Sequence, residues 1–233
     1  MRELIKYSLF DYLRSHKYFP PVLIFFILII VFYTYTPNPV IDSYAVTALF
    51  LYIVSSWLCL SFLSVDPPVQ SQVMILHIGS LNRYYMAKLF CLILISFILA
   101  ICAFVYPIIF SMFNETVTFT IGFVSLLNHV SLALLGIAVA SLFSRVIMKS
   151  AINSIGGVAL IITISLASLA IYDSLPSPFK NIVWMIPPAV STQKPLFNWD
   201  GNLSDLSLFP FIWIIIYSIL LLFLFLKLVK KFR

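Results

Sequence analysis

Three polar side chains, Asn128, His129 and Asn153, stand within long apolar runs of the sequence. An imidazole in such a run can ligate a metal or a haem iron, carry a proton, or hydrogen-bond to a neighbouring helix. Haem ligation between helices usually takes paired histidines, whereas His16 and His77 lie in polar segments. Two interpretations of His129 stay open: a ligand or proton carrier, and a polar residue hydrogen-bonded between helices, which is favoured.

The sequence lacks the residue patterns of common catalytic and nucleotide-binding sites. It contains no HExxH, no GxSxG and no GxxxxGK[ST] phosphate loop. Cys59, Cys91 and Cys102 all lie in apolar runs and form no CxxC pair, so neither a disulfide framework nor a zinc site is predicted. We therefore assign no catalytic residue, no metal site and no enzymatic activity to this chain. If ATP drives it, a separate chain binds the nucleotide.

Composition places the chain in a membrane. It is 62% hydrophobic and 9% charged, with a mean hydropathy of +1.09. Soluble domains carry roughly a quarter charged residues. The net charge of +6 is concentrated at the ends of apolar runs, and no basic stripe with interleaved aromatic residues exists. Membrane topology and contacts with anionic lipid headgroups explain this charge, and nucleic-acid binding is not expected.

The positive charge also predicts a topology. Apolar runs divide the chain into seven polar segments, and only Lys180 and Lys194 lie outside the alternate set that begins with the N-terminus. The other twelve of the 14 basic residues lie in that set: Arg2, Lys6, Arg14, Lys17, Arg83, Lys88, Arg145, Lys149, Lys227, Lys230, Lys231 and Arg233. Segments rich in Lys and Arg stay cytoplasmic. This pattern predicts an all-α protein of the cell membrane, with six transmembrane helices and both termini cytoplasmic.

The six apolar runs have about the length that a bilayer requires, roughly 20 residues. A single transmembrane domain over residues 1–233 is predicted, with spans at 20–36, 44–65, 89–111, 122–143, 151–172 and 208–226. Residues 1–19 precede the first span as an amphipathic helix on the cytoplasmic leaflet, with a disordered tail as the alternative. Its apolar side is predicted to contain Leu4, Ile5, Leu9, Tyr12 and Leu13.

The outer segment 173–207 is long and mixes apolar and polar pieces. Its first piece is apolar and carries Trp184, and Pro187 and Pro188 interrupt it. Two short re-entrant helices that enter the outer leaflet and return would explain the mixture. Irregular backbone at that depth is tolerated only when it is buried against protein, so these pieces are expected to pack on the bundle. A plain surface loop is the alternative.

The inner segment 66–88 is too long for a simple helix connection, which usually takes about 2–8 residues. It reads D-P-P-V-Q-S-Q-V-M-I-L-H-I-G-S-L-N-R-Y-Y-M-A-K, and Gly79-Ser80 can split it into two short helices. With the amphipathic N-terminus, the six spans and the long outer segment, this segment resembles the membrane subunits of type-2 ABC transporters, also called type V ABC exporters. Where that family often has Glu and Pro, this chain has Gln70 or Gln72 and Gly79-Ser80.

The resemblance implies a half-transporter permease. Its partners would be ATP-binding subunits holding ATP and Mg, a second permease copy or a paralogue, and the surrounding membrane lipids. The first helix of segment 66–88 would be a coupling helix seated on the ATPase, with Gln70, Gln72, Met74 and His77 as its contacts. A solvated loop packed on lipid headgroups is the alternative.

A pathway without ionised side chains favours an amphipathic or hydrophobic substrate. The small size resembles bacterial systems that export membrane-active peptides or confer immunity to them, so peptide export is the leading hypothesis and lipid-like or drug-like cargo its closest rival. Two other classes stay open. One is a non-transporting immunity or sensor protein, and the other is an intramembrane redox or enzyme subunit centred on His129.

Overall fold

The computed structural model describes residues 1–232 and is all-helical over that range, with no strand. Ten α-helices follow one another: α1 Arg2–Ser15, α2 Phe19–Phe32, α3 Val40–Leu63, α4 Pro68–Ile78, α5 Leu81–Ile109, α6 Phe119–Leu142, α7 Ala151–Leu166, α8 Ser168–Ser174, α9 Gln193–Phe197 and α10 Phe209–Phe232. Two 3₁₀ helices, Ser177–Met185 and Leu203–Asp205, flank α9. Arg233, one of the predicted cytoplasmic cations, lies outside the described residues.

Four helices, α3, α5, α6 and α10, are long and apolar enough to cross a membrane. Two bent pairs pass the same test together: α1 with α2, which meet at 78°, and α7 with α8, which meet at 58°. The described chain therefore contains four candidate spans, or six if each bent pair is one span. The chain is a helical membrane protein.

Contacts between the long helices show that they cross the bundle in alternating directions. Near the start of α3, the Tyr44 hydroxyl donates to the Phe104 carbonyl late in α5, at 2.9 Å. Tyr85, early in α5, packs its ring on Phe225, late in α10, with centroids 5.7 Å apart. The N-terminal helix, α4, the α6–α7 turn and the end of α10 thus share one end of the bundle, the α1 end. Helix α9 and the start of α10 lie at the opposite end, the α9 end.

Helices α3 and α6 form the centre and run parallel at close approach. The Ser56 hydroxyl donates to the Gly136 carbonyl at 3.1 Å, and the Cys59 thiol contacts the Ile137 carbonyl at 3.4 Å. A side chain at Gly136 would collide with the Tyr52 carbonyl and the Ser55 hydroxyl. Small residues thus permit the backbone contact that packs helices in membranes.

Helix α1 packs on the bundle through a face that contains only part of the predicted apolar side. Leu4 and Tyr12 are buried, but Leu13 is exposed, and the inward face also contains Ser8 and the half-buried Asp11. The predicted apolar side is thus divided: Leu4 and Tyr12 pack on the bundle, whereas Leu13 lies outside it. Amphipathicity against lipid does not determine which face packs on protein, because partners on α5 and α3 can satisfy inward polar groups.

Segment 66–88 is helical from Pro68 onward, except at Gly79 and Ser80. Pro68 begins α4, since proline at the first helical position lacks only a donor that would be unsatisfied anyway. Gly79 ends α4 with φ 69°, the left-handed conformation that glycine adopts at little cost. The Ser80 side chain then caps α5 by accepting from the Arg83 amide. Helix α5 begins at Leu81, so the last part of the predicted inner loop forms its first turns.

The outer segment contains three short helical pieces. The first, Ser177–Met185, is a 3₁₀ helix without a buried residue. From Pro187 onward the chain packs on the bundle, with Thr192, Leu196 and Trp199 among its buried residues. The first piece therefore contacts α10 through side chains that stay partly exposed, such as Trp184. Helix α9 packs on the bundle as expected, whereas the 3₁₀ helix Leu203–Asp205 has no buried residue.

Candidate functional site

A buried charge cluster joins three elements at the α1 end. Lys88 of α5 and Asp66, which follows α3, form an ion pair with Nζ and Oδ2 2.7 Å apart, and both side chains are almost fully buried. The Tyr84 hydroxyl donates to the same Asp66 carboxylate. The carboxyl of Asp11, on α1, hydrogen-bonds to Asp66 from the other side. The cluster therefore fixes the end of α3 against α1 and α5.

The two carboxyl groups of this cluster have opposite electrostatic environments. Burial alone would raise the pKa of Asp66, but the Lys88 charge and the hydrogen bonds outweigh it and hold that pKa below its usual value. Burial, together with the hydrogen bond and negative charge of Asp66, raises the pKa of Asp11. Asp66 is therefore the ionised partner, and Asp11 is the one that retains a proton to higher pH.

Helix α1 is also fixed to α3 directly. The Tyr12 hydroxyl hydrogen-bonds to Ser61, and its ring packs on Phe62 with centroids 4.6 Å apart. Beyond the end of α1, the Lys17 ammonium donates to the Ser64 carbonyl at 3.0 Å. With the charge cluster, these contacts make α1 and the cytoplasmic ends predicted for α3 and α5 one connected unit.

Helix α4 has one packed face and one exposed apolar face. Ser71 is buried, and Met74, Ile75 and Ile78 pack against the core. On the opposite face three apolar side chains are exposed to large fractions: Val69 71%, Val73 59% and Leu76 81%. We call Val69, Gln72, Val73 and Leu76 the α4 outer face. Apolar side chains this exposed, on a helix held at both ends, form a surface that a partner protein or the lipid headgroups can cover.

The four predicted coupling residues do not form one surface. Gln70 is half-buried, and its amide donates to the Tyr7 hydroxyl of α1 at 2.6 Å. Met74 and His77 line a cavity of about 540 Å³ between α1 and α4. Only Gln72 belongs to the α4 outer face.

Sequence reasoning missed the three apolar members of the α4 outer face as contacts. In one continuous helix, positions 69, 73 and 76 would lie on the same side, but Gln72 and Arg83 would lie on that side too. The mixture gave no indication of whether that side faced the core or the surroundings.

His129 has both ring nitrogens engaged inside the bundle. Its Nε2 lies 3.0 Å from the Thr47 hydroxyl of α3, and its Nδ1 lies 2.8 Å from the Ser125 carbonyl. The side chain is fully buried. This geometry fits the hydrogen-bonded interpretation of His129, because neither nitrogen is left for a ligand.

Asn128 and Asn153 occupy different environments. The Asn128 carbonyl oxygen accepts from the Thr192 hydroxyl at 2.9 Å, which links α6 to the outer segment, while its amide nitrogen is buried without a partner. Asn153 is exposed in the first turn of α7, where its backbone amide donates to the Ser150 cap. Asn153 is therefore not a buried polar residue between helices. Among the described residues, no group of His, Cys, Asp or Glu is arranged to hold a metal ion.

At the α9 end, the predicted outer residues contact α7 and α10. The Trp184 ring packs on Trp213 with centroids 5.3 Å apart, and its side chain remains half exposed. The Ser165 hydroxyl of α7 donates to the Pro187 carbonyl at 2.6 Å, and Pro188 is buried beside it. These contacts enclose one side of an open groove of about 660 Å³.

Comparison of the chain with protein-family models, with curated proteins and with solved structures finds no match.

Proposed function

We propose that this chain is the membrane subunit of an ATP-driven exporter of the type-2 ABC kind. The observation that carries the proposal is the α4 outer face: exposed apolar side chains on a short helix, held at one end of the bundle. An ATP-binding subunit would seat on this face. The chain contains no phosphate loop of its own, so ATP and Mg would belong to that partner.

Rigid connections support the transmission of movement from α4 to the long helices. Helix α4 contacts α1 through Gln70 and Tyr7, and it joins α5 across only Gly79 and Ser80. Helix α1 is fixed in turn to α3 and α5 through Tyr12 and the Asp66 cluster. Displacement of α4 by its partner would therefore move α1, α3 and α5 as rigid bodies, a common form of switching in transporters.

The proposal includes six spans, with α2 and the α7–α8 pair each crossing the membrane. Both ends of this chain would lie in the cytoplasm of a bacterial cell, and the two 3₁₀ helices and α9 would lie on the outer side. A second copy or a paralogue would complete the pathway.

Within residues 1–232, the charged side chains buried inside the bundle are those of Asp66 and Lys88, at its α1 end. The middle of the helices offers apolar and aromatic walls, which favours an amphipathic or hydrophobic cargo. A membrane-active peptide is the substrate we propose, with a lipid-like molecule as the rival.

A redox or enzymatic function centred on His129 lacks a free ring nitrogen, so we do not propose it. An immunity or sensor protein that binds without transporting remains the second candidate, because the groove at the α9 end can bind a ligand without any ATPase.

Copurification tests the proposal. The chain is coexpressed with the ATP-binding subunit encoded beside it and purified in mild detergent, and ATP hydrolysis of the complex is measured. Leu76→Asp places a charge in the α4 outer face and is expected to abolish the complex. Leu203→Asp is the matched control, because Leu203 is 56% exposed at the opposite end, and this variant should keep the complex and its activity.

A folded chain that copurifies with no ATPase would overturn the proposal. So would an ATPase complex that Leu76→Asp and Leu203→Asp affect equally. Folding of each variant is checked beforehand by its size-exclusion profile and its melting temperature.

A further inference from the structure

The groove at the α9 end has aromatic walls at the level where apolar helices end. It lies between α8, the 3₁₀ helix Ser177–Met185, α9 and the start of α10. Tyr172, Trp184, Phe209 and Trp213 line it. Trp184 contacts both Phe209 and Trp213, so the rings form one continuous cluster. Tryptophan and tyrosine concentrate at membrane–water interfaces, where an apolar body and a polar tip are both satisfied.

Charges of both signs surround these rings. Lys194 and Asp205 line the groove, and both side chains are exposed. The Lys180 ammonium lies 4.7 Å from the centre of the Tyr172 ring, which is itself part of the wall. The one ion pair found within residues 1–232 joins Asp66 to Lys88. Lys194 and Asp205 are therefore not paired with each other. The groove therefore offers one cation, Lys194, and one anion, Asp205, to a ligand, and a second cation, Lys180, lies against its Tyr172 wall.

The two cations are the same two that break the charge pattern of the sequence. Lys180 and Lys194 alone lie outside the basic alternate segments. Lysine in a translocated segment opposes membrane topology, because positive charge resists translocation. Lys194 nevertheless lines this groove, and Lys180 contacts its Tyr172 wall. Topology does not explain them, whereas binding of an anionic group at this groove does.

We propose that this groove binds an amine-bearing phospholipid such as phosphatidylethanolamine. Lys180 and Lys194 contact the phosphate, and Asp205 contacts the headgroup ammonium, which the ring faces of Trp184 and Trp213 also attract. The acyl chains lie along the exposed apolar side chains at the start of α10. The charges of the site and of the zwitterionic headgroup are complementary, and the aromatic cluster stands at headgroup level. The assignment does not depend on ATP-driven export.

Native mass spectrometry of the purified chain, without an ATPase, tests this assignment. Binding is titrated with three lipids of identical acyl chains: phosphatidylethanolamine, phosphatidylglycerol and diacylglycerol. Phosphatidylethanolamine should bind most tightly and diacylglycerol least. Each lysine close to the negative charge of a lipid surface contributes about fivefold in affinity. Lys180→Ala with Lys194→Ala should therefore weaken phosphatidylethanolamine binding by roughly 30-fold.

Matched controls separate the groove from general charge. Lys6→Ala with Lys149→Ala removes two exposed lysines at the other end of the bundle and should leave the affinity unchanged. Asp205→Asn should remove the preference for phosphatidylethanolamine over phosphatidylglycerol, whereas Asp200→Asn, an exposed neighbour outside the groove, should retain it.

Three results would overturn the assignment. Equal binding of diacylglycerol and phosphatidylethanolamine would show that the headgroup is not recognised. Equal losses in the two double lysine variants would place the lipid elsewhere. If the chain instead binds the amphipathic peptide melittin and no phospholipid, and loses that binding in the Lys180→Ala, Lys194→Ala variant, this result would reassign the groove to peptides. Failure of ATPase copurification leaves this proposal standing, so the two can be judged separately.

Discussion

At the scale of single residues, the Asp11–Asp66 pair is the feature with a measurable consequence in solution. Two carboxyl groups share a hydrogen bond beside the Lys88 ammonium. The Lys88 and Arg14 charges lower the pKa of Asp11 by less than burial and Asp66 raise it. Asp66 has the nearer contact with Lys88 and remains ionised. Asp11 is the residue whose ionisation is costly in the folded state.

The stability of the protein should therefore fall as Asp11 ionises. A carboxyl whose pKa is raised on folding contributes stability that is complete below the unfolded value, near 4, and is lost as pH rises through the folded value. Asp66, whose pKa is lowered, contributes stability that is present above the unfolded value and is lost in acid. Asp11→Asn keeps a neutral hydrogen-bonding group and should raise the melting temperature at about pH 7 but not at about pH 4.

The measurement is thermal unfolding in detergent across that range. Asp42→Asn, an exposed carboxyl at the start of α3, is the control and should follow the wild-type curve. Parallel curves for Asp11→Asn and the wild type would show that Asp11 does not titrate differently in the folded protein.

At the scale of helices, the α3–α6 contact limits what Gly136 can become. An added methyl group at this position would collide with the Tyr52 carbonyl and the Ser55 hydroxyl and would lie 2.9 Å from the Ser56 hydroxyl. The Tyr52 carbonyl is backbone and cannot rotate away. Gly136→Ala should therefore separate the two central helices and lower the free energy of unfolding by about 1–3 kcal/mol. Reversible unfolding in mixed micelles measures the change.

Gly156→Ala, in α7, is the matched control, because no atom lies within 4 Å of the added methyl group. Alanine stabilises an open helix by up to about 1 kcal/mol relative to glycine. The two substitutions should thus have opposite signs. Equal effects would contradict the close packing of α3 on α6.

The helices illustrate how far the sequence can predict this fold. Apolar runs predicted where the long helices lie, and prolines predicted where some of them begin or end. Both signals depend only on residues close together in the sequence. The inward face of α1 and the outward face of α4 were not predictable in this way. Asp11 lies inward because Asp66, distant in sequence, accepts its hydrogen bond, and Val69 lies outward because Ile75 and Ile78 occupy the core side. Such choices depend on tertiary partners that periodicity does not reveal.

At the scale of the whole molecule, the alternating directions of the helices make the number of spans testable. The α1 end contains Lys6 and Lys149. At the opposite end, Tyr35, which is 85% exposed, follows α2, and the exposed Lys194 lies on α9. If α2 and the α7–α8 pair both cross the membrane, these two sets of residues lie on opposite sides of it. Positive charge should then retain the α1 end in the cytoplasm.

Single cysteines at these positions decide between four and six spans. In intact cells a membrane-impermeant maleimide should label Tyr35→Cys and Lys194→Cys, and it should label Lys6→Cys and Lys149→Cys only after the membrane is opened. The native Cys59 and Cys91 are buried and Cys102 is half-buried, so the labelling of the chain without substitutions is subtracted as the background. Labelling of Tyr35→Cys and Lys6→Cys on the same side would mean that α2 does not span. The same result for Lys149→Cys and Lys194→Cys would exclude the α7–α8 pair and, with it, an outer location for the lipid groove.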